Sequence, residues 1–167
     1  MTRRSPHAWM LDEAGRLPAA RFHPSPNCDE RPADAAITLL VIHSISLPPG
    51  RFRGDAVADL FLNRLDLDAH PYFAGLAGLR VSAHFFLRRR GELLQFVPCS
   101  KRAWHAGAST WHGRDRCNDF SVGVELEGTD DVRFTAAQYA TLARLTHALQ
   151  AAYPIRDLAG HSDIAPG

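Results

Sequence analysis

Residues 38–50 read TLLVIHSISLPPG, an apolar run that ends in a histidine and then in a loop rich in proline. Such a run is typical of a buried strand, and we predict a strand over residues 37–43. A side chain at the end of a core strand is held by the sheet and yet faces a loop, which is how a scaffold presents a functional group. His43 is therefore either a candidate metal ligand or a histidine that only satisfies a hydrogen bond.

Further strands are predicted over residues 82–89, 92–98 and 120–128, and the turn at Arg90 and Gly91 joins the first two as a hairpin. Apolar residues recur at helical spacing over residues 54–65 and 135–152, where Thr135 and Gln138 form a capping-box pattern. Strands interleaved with helices predict an α/β fold with a mixed central β-sheet and helices packed on it.

The length of 167 residues and the 46% hydrophobic composition predict a single domain over residues 1–167. Residues 1–36 are rich in proline and arginine, and we expect them to form an N-terminal arm and loop. The net charge of +1 argues against nucleic acid as a partner, and no apolar stretch is long enough to cross a membrane.

Three sparse cysteines favour a reducing compartment, so we expect a cytoplasmic protein. The arginine pair near the N-terminus is not interpreted as an export signal, because Asp12 and Glu13 interrupt the apolar segment that follows it.

Two further residues could take part in chemistry. His161, in AGHSD, could join His43 in supplying nitrogens to one Zn²⁺, although a hydrolytic zinc usually has three protein ligands. Glu125 lies within the strand over residues 120–128, where partial burial would raise its pKa towards the range of a general base. Alternation alone instead favours a solvent-facing surface made of Gly123, Glu125 and Glu127.

The loop KRAWHAG, residues 101–107, could offer Trp104 as a flat apolar wall for a sugar ring or peptide stem, or Trp104 could plug the edge of the core. Arg80, Arg114 and Arg116 could clamp a carboxylate through bidentate hydrogen bonds. Arginines of this kind are also common on solvated surfaces, and the residues alone leave both interpretations open.

Five segments, in this order along the chain, resemble the AmpD family: LLVIHSISLPPG, AHPYFAGLAGLRVSAHFFLRRRGELLQFVP, KRAWHAG, GRDRCNDFSVGVELEGTDD and GHSDIAPG. AmpD proteins are cytoplasmic zinc amidases of Gram-negative bacteria with the peptidoglycan-recognition fold. They cut the amide between anhydro-N-acetylmuramic acid and L-alanine of muropeptides in cell-wall recycling, which lowers the signal for beta-lactamase induction in some bacteria. The resemblance therefore implies a hydrolase of this class with a muropeptide substrate.

The resemblance also implies a set of site residues. It assigns His43 and His161 as Zn²⁺ ligands and Glu125, rather than Glu127, as the catalytic glutamate. The positions that match substrate contacts of the family are Ser44, Arg80, Trp104 and Arg116. In the implied reaction the zinc ion polarises the scissile carbonyl and its bound water, and Glu125 moves the proton of that water to the departing amine.

Two departures from the family pattern affect this expectation. Ser44 stands where the family usually has Asn, so a substrate contact is lost or bridged by water. The third family ligand, an Asp, and a lysine that serves the oxyanion lie beyond Gly167 in the family pattern. We therefore expect a chain truncated at its C-terminal end that binds zinc weakly, with Asp163 as the one nearby carboxylate that could substitute.

The expected function is zinc-dependent hydrolysis of the muropeptide amide by a monomer. The alternative is a metal-poor module that binds peptidoglycan fragments without cleaving them. The presence or absence of the third ligand separates these two hypotheses.

Overall fold

The computed structural model describes residues 6–166 of the chain. The strands among these residues are β1 (Arg21–Phe22), β2 (Cys28–Glu30), β3 (Leu39–Ile45), β4 (Phe85–Leu87), β5 (Leu93–Gln95), β6 (Lys101–Ala103), β7 (Thr110–Trp111), β8 (Arg114–Asp115), β9 (Ser121–Glu127) and β10 (Asp157–Gly160). The α-helices are α1 (Ala56–Phe61), α2 (Ala136–Ala152) and α3 (His161–Ile164), and 3₁₀ turns span Pro6–Trp9, Pro71–Leu76 and Cys117–Asp119.

Six of the strands form a mixed sheet in the order β1-β5-β4-β9-β3-β10. β3 lies between β9 and β10 and is parallel to both, whereas β4 and β5 form the antiparallel hairpin expected at Gly91. Two small two-stranded sheets, β2 with β6 and β7 with β8, accompany it. The predicted mixed sheet with packed helices is confirmed.

Helix α2 covers one face of the sheet. Thr135 and Gln138 form the predicted capping box at its start. Leu145 and Leu149 are fully buried in a cluster that includes the β9 residues Val122, Val124 and Leu126. The helical spacing of these leucines therefore correctly indicated the side of α2 that packs on the sheet.

The opposite face of the sheet is covered by α1 and by the loops between β6 and β9. The α1 residues Val57, Leu60 and Phe61 are buried, as their spacing predicts, although the helix is shorter than the predicted span of residues 54–65. A separate cluster that contains Val41, Ala106 and other residues lies under the loops and α3. No helix among residues 6–166 has the length and apolar character needed to span a membrane.

The structure corrects one prediction about β9. Gly123 and Glu127 do not face solvent, because Gly123 is buried and Glu127 is 5% exposed, whereas Glu125 between them is partly exposed. The loop over residues 101–107 lies on Gly123, and Glu127 accepts a hydrogen bond from the backbone N–H of Arg89. The alternation was correct, but both faces of this strand are largely covered, as is usual for a strand inside a parallel arrangement, and Glu125 stays open to a cavity.

The N-terminal segment contributes more regular structure than an arm. β1 extends the main sheet beside β5, and β2 pairs with β6, a strand formed by the first three residues of the KRAWHAG segment. The strand expected over residues 37–43 spans Leu39–Ile45, so His43 lies inside β3 near its C-terminal end.

Candidate active site

His43 and His161 meet because β3 and β10 are neighbouring parallel strands. Ile42 is paired with Gly160. His43, the next residue of β3, and His161, the residue that follows β10, therefore emerge at the same edge of the sheet. The two Nδ1 atoms lie 3.1 Å apart, and the ring centroids are separated by 5.0 Å. Burial and the neighbouring His161 lower the pKa of His43 to about 3, which keeps its imidazole neutral at physiological pH.

Glu125 lies on the other side of His43, because the two residues are directly paired between β3 and β9. Its Oε2 atom is buried and has no hydrogen-bond partner. Burial raises the pKa of Glu125 to about 8. A buried carboxyl group without a partner is costly for folding, and such groups are common at functional sites.

His105 is part of this site, although the sequence analysis assigned it no role of its own. Its Nδ1 lies 2.8 Å from Nε2 of His43, and its Nε2 lies 3.2 Å from Oγ of Ser121. Burial, together with the nearby His43, holds the pKa of His105 well below its usual value. A sequence signal did exist, since Gly123 in the middle of an apolar strand indicates a close approach by another group.

A second buried layer lies behind His105. His84 is 0% exposed, accepts a hydrogen bond from the backbone N–H of Gly123 at Nδ1 and contacts the carbonyl of Lys101 at Nε2. Burial, followed by the charge of Arg31, lowers the pKa of His84 to about 3. Arg31 donates to the carbonyls of Cys99, Asn118, Asp119 and Ser121.

Two cavities meet at the site, and both are lined by His105, Glu125 and His161. The larger cavity has a volume of about 1260 Å³ and is bordered by His43, Ser44 and the polar segment over residues 129–134. The smaller cavity has a volume of about 390 Å³, and its wall is mostly apolar and includes Trp104. A substrate with two chemically different halves could therefore place its central bond at Glu125 and His161.

The residues predicted to contact substrate are distributed unevenly around these cavities. Trp104 lines the smaller cavity, and Ser44 lines the larger one, where its hydroxyl lies 3.3 Å from Oδ1 of Asp130. Arg80 and Arg116 are exposed and line neither of these two cavities. Arg116 is paired with Asp119 at 3.2 Å, and its role and that of Arg80 stay predictions.

The suggested replacement ligand Asp163 is engaged elsewhere. Its carboxylate accepts a hydrogen bond of 2.7 Å from the backbone N–H of Gly160 at the start of α3. Within residues 6–166, no group of three His, Cys, Asp or Glu side chains converges in a way that could hold a metal ion.

The two histidines nevertheless fit a zinc ion. Zinc binds imidazole nitrogen at about 2.0–2.1 Å, which places two tetrahedral nitrogen ligands about 3.3 Å apart. The observed Nδ1 separation of 3.1 Å is close to that value. Neutral imidazoles are the form that binds zinc, and the unpartnered Glu125 oxygen in the same cavity suits a group that acts on a nearby water. These residues could supply two ligand positions.

Comparisons with known proteins agree with this geometry. Residues 33–167 match the family described as N-acetylmuramoyl-L-alanine amidase, Amidase_2. The 1,6-anhydro-N-acetylmuramyl-L-alanine amidase AmpD of Escherichia coli (strain K12) is 56% identical over 159 residues, which cover 94% of this chain and 87% of that protein.

Solved structures give the same result. A crystal structure of an Se-Met AmpD derivative superposes with a TM-score of 0.91 at 56% identity, covering 94% of this chain and 88% of that one. A complex of the E. coli amidase AmiD with the substrate anhydro-N-acetylmuramic acid-L-Ala-D-gamma-Glu-L-Lys gives 0.54 at 31% identity, covering 81% of this chain and 53% of that one. The chain therefore belongs to the N-acetylmuramoyl-L-alanine amidase family of hydrolases and, within it, to the AmpD amidases.

Proposed function

We propose that this amidase is zinc-dependent and cleaves the amide between anhydro-N-acetylmuramic acid and L-alanine in muropeptides during cell-wall recycling. The observation that carries the proposal is the 3.1 Å approach of the Nδ1 atoms of His43 and His161 beside the unpartnered Glu125 carboxyl. The bond is the one named for the AmpD relatives, and the complex of AmiD contains a substrate of the same class.

In this proposal the Nδ1 atoms of His43 and His161 would hold the zinc ion. When bound, zinc supplies a Lewis acid that polarises a carbonyl oxygen and lowers the pKa of a bound water. Glu125, whose carboxylate form a zinc ion beside it would favour, accepts a proton from the attacking water as the water oxygen bonds to the carbonyl carbon. Glu125 then donates that proton to the nitrogen of L-alanine as the carbon–nitrogen bond breaks. The products are a lactyl carboxylic acid and a free peptide amine.

The two cavities divide the substrate at the scissile amide. We assign the smaller, mostly apolar cavity with Trp104 to a compact ring, because a flat indole suits the apolar face of a sugar. The larger cavity has room for an extended peptide stem. Arg80 and Arg116 are assigned to the stem carboxylates, and Ser44 to a polar contact at the mouth of the larger cavity.

The proposal also includes the setting of the reaction. We place a monomer with a single amidase domain over residues 1–167 in the cytoplasm, with muropeptides rather than nucleic acid or membrane as its partner. All three cysteines are free thiols, which suits a reducing compartment.

The test compares Glu125→Gln with Glu127→Gln, two changes of the same size on the same strand. We expect the first to abolish release of L-alanyl peptide from purified anhydromuropeptide while zinc content stays unchanged, and the second to retain turnover. Removal of zinc by a chelator should stop the wild-type reaction, and added zinc should restore it. Tight binding of muropeptide without cleavage in zinc-supplemented wild-type protein would instead establish the binding-module alternative.

A further inference from the structure

The two ring nitrogens of His43 have different neighbours. Nδ1 faces His161, whereas Nε2 lies 2.8 Å from Nδ1 of His105. The nitrogens of one imidazole point away from each other, so an ion at Nδ1 of His43 is not shared with His105. The short contact at Nε2 is therefore a hydrogen bond between two imidazoles behind the site rather than a third metal ligand.

The direction of this hydrogen bond decides which nitrogen of His43 is free. If His43 donates from Nε2, then its Nδ1 carries a lone pair that can bind a cation. If His105 donates instead, His43 holds its proton on Nδ1 and has no free nitrogen towards His161. A neutral imidazole has one donor and one acceptor nitrogen, so these are the two arrangements open to it.

Only the first arrangement leaves His43 a lone pair towards His161, so it is the one that the proposed zinc-dependent function requires. The contacts of His105 are compatible with it: its Nε2 lies 3.2 Å from the Ser121 hydroxyl, which can accept a hydrogen bond from Nε2–H and so leave Nδ1 as the acceptor for His43. The backbone N–H groups of His105 and Ala106 both donate to Oδ1 of Asn118, at 3.2 and 2.9 Å. The ring is thus held both through its backbone and through its far nitrogen.

Gly123 leaves the space in which the His105 ring lies against β9. A Cβ added at Gly123 would lie 2.4 Å from Cγ of His105, far below an ordinary contact distance. The atom met is at the base of the imidazole, so the ring could not avoid the clash by a small rotation. A glycine in a buried strand costs stability relative to alanine, and here the lost side chain leaves room for the imidazole that contacts His43.

We propose that His105 is a positioning residue for the amidase reaction. Its Nδ1 accepts a hydrogen bond from the Nε2–H of His43 and so fixes the tautomer and orientation in which Nδ1 of His43 faces the zinc ion. Gly123 and Ser121 hold His105 in place for this role. The inference rests on the proposed zinc-dependent function. Hydrogen-bond partners on the far side of a ligating imidazole typically change metal affinity or activity by about 10–100-fold.

The first test needs no metal. Long-range ¹H–¹⁵N correlation spectra of the zinc-free 167-residue protein report which nitrogen of His43 carries the proton. We expect protonated Nε2 and bare Nδ1 in the wild type. A proton on Nδ1 of His43 would overturn the inference, whatever the zinc affinity of the protein.

The second test compares His105→Asn with His105→Leu. The Oδ1 atom of asparagine can stand near the position of Nδ1 and accept the same hydrogen bond, whereas leucine fills space without an acceptor. In zinc titrations against a competing chelator, we expect His105→Leu to weaken binding about 10–100-fold and His105→Asn to recover most of that loss. Equal affinities for the two variants would overturn the role of the acceptor.

Two variants that keep His105 itself cover the case in which His105→Leu does not fold. Ser121→Ala removes the far partner of His105, and Gly123→Ala displaces its ring. Both should increase the fraction of His43 protonated on Nδ1 and weaken zinc binding. An unchanged His43 tautomer in both would overturn the inference. Failure of the wild-type protein to bind zinc would overturn the proposed function. The tautomer spectra are recorded without zinc, so they test the role of His105 independently of that outcome.

Discussion

The Nδ1 atoms of His43 and His161 lie 3.1 Å apart, although 118 positions of sequence separate the two residues. The approach follows from sheet topology, because β3 and β10 are parallel neighbours whose register brings the ends of both strands together. Glu125 joins them from β9 on the other side of β3. Carboxyl ends of adjacent parallel strands are a common place for active sites, and this edge gathers two imidazoles and a carboxyl group.

The stability of the zinc-free protein should show the titration of Glu125. Burial raises the pKa of Glu125 from 4.5 to about 8, so between these values the native state keeps a proton that the unfolded chain releases. The resulting contribution to the free energy of unfolding is fully present below pH 4.5 and is lost as the pH rises through about 8. Glu125→Gln removes this dependence.

The measurement is urea unfolding of both proteins between pH 5 and pH 9. We expect the wild type to lose stability relative to Glu125→Gln as the pH rises, by an amount on the order of a few kcal/mol. Because the histidines are present in both proteins, their titration cancels in the difference. Parallel stability curves over this range would show that Glu125 is not a buried carboxyl of raised pKa.

Trp104 should contribute to substrate binding rather than to metal binding. Replacement by alanine removes the indole from the wall of the smaller cavity, and loss of a large apolar contact typically costs about 1.5–3 kcal/mol. We expect kcat/KM for anhydromuropeptide to fall about 10–100-fold, mainly through KM, with zinc affinity unchanged. Trp9→Phe, a change in the cluster under α2, is the control and should retain wild-type kinetics.

Arg80 and Arg116 can be tested with substrates that differ in charge. If these arginines hold stem carboxylates, Arg80→Ala and Arg116→Ala will each raise KM for a muropeptide with free carboxylates more than for its amidated counterpart. Arg114→Ala is the matched control, since Arg114 is an exposed arginine that lies over the ring of Phe120. Equal effects on both substrates would exclude carboxylate binding by the two residues.

Arg31 should be important for stability. Its guanidinium donates to four carbonyl groups and lies beside His84, so replacement leaves several partly buried acceptors unpaired. We expect Arg31→Met to lower the free energy of unfolding by about 3–5 kcal/mol in denaturant titrations. Arg64→Met, which breaks the exposed pair with Asp59, should cost no more than about 1 kcal/mol. Comparable losses in the two variants would contradict the structural role of Arg31.

The sequence predicted the sheet and α2 well, because their signals are local. The apolar run before His43, the hairpin at Gly91 and the capping box at Thr135 are each contained within a few residues. The face of β9 was predicted less well, since alternation shows which residues share a face but not what covers it. Glu125 and Glu127 look alike in the pattern, and only the neighbouring elements distinguish the unpartnered carboxyl from the one bonded to Arg89.

The convergence of the site residues was the feature of the structure that the sequence predicted least well. Resemblance to the AmpD family named His43, Glu125 and His161, but no spacing rule shows that residues on β3, β9 and α3 meet. His105 received no role because its contacts with His43 and Ser121 depend on how one loop lies across β9. Gly123 is a local indication that another group approaches β9 closely, but the alternating pattern of the strand does not show which group it is.

The proposed zinc site can be tested directly by diffraction. Crystals of the protein grown with zinc, measured on both sides of the zinc absorption edge, would locate the metal from its anomalous scattering. We expect one peak about 2.0–2.1 Å from Nδ1 of both His43 and His161, within reach of a water beside Glu125. A zinc ion bound through other residues, or no peak between these two imidazoles at saturating zinc, would contradict this expectation.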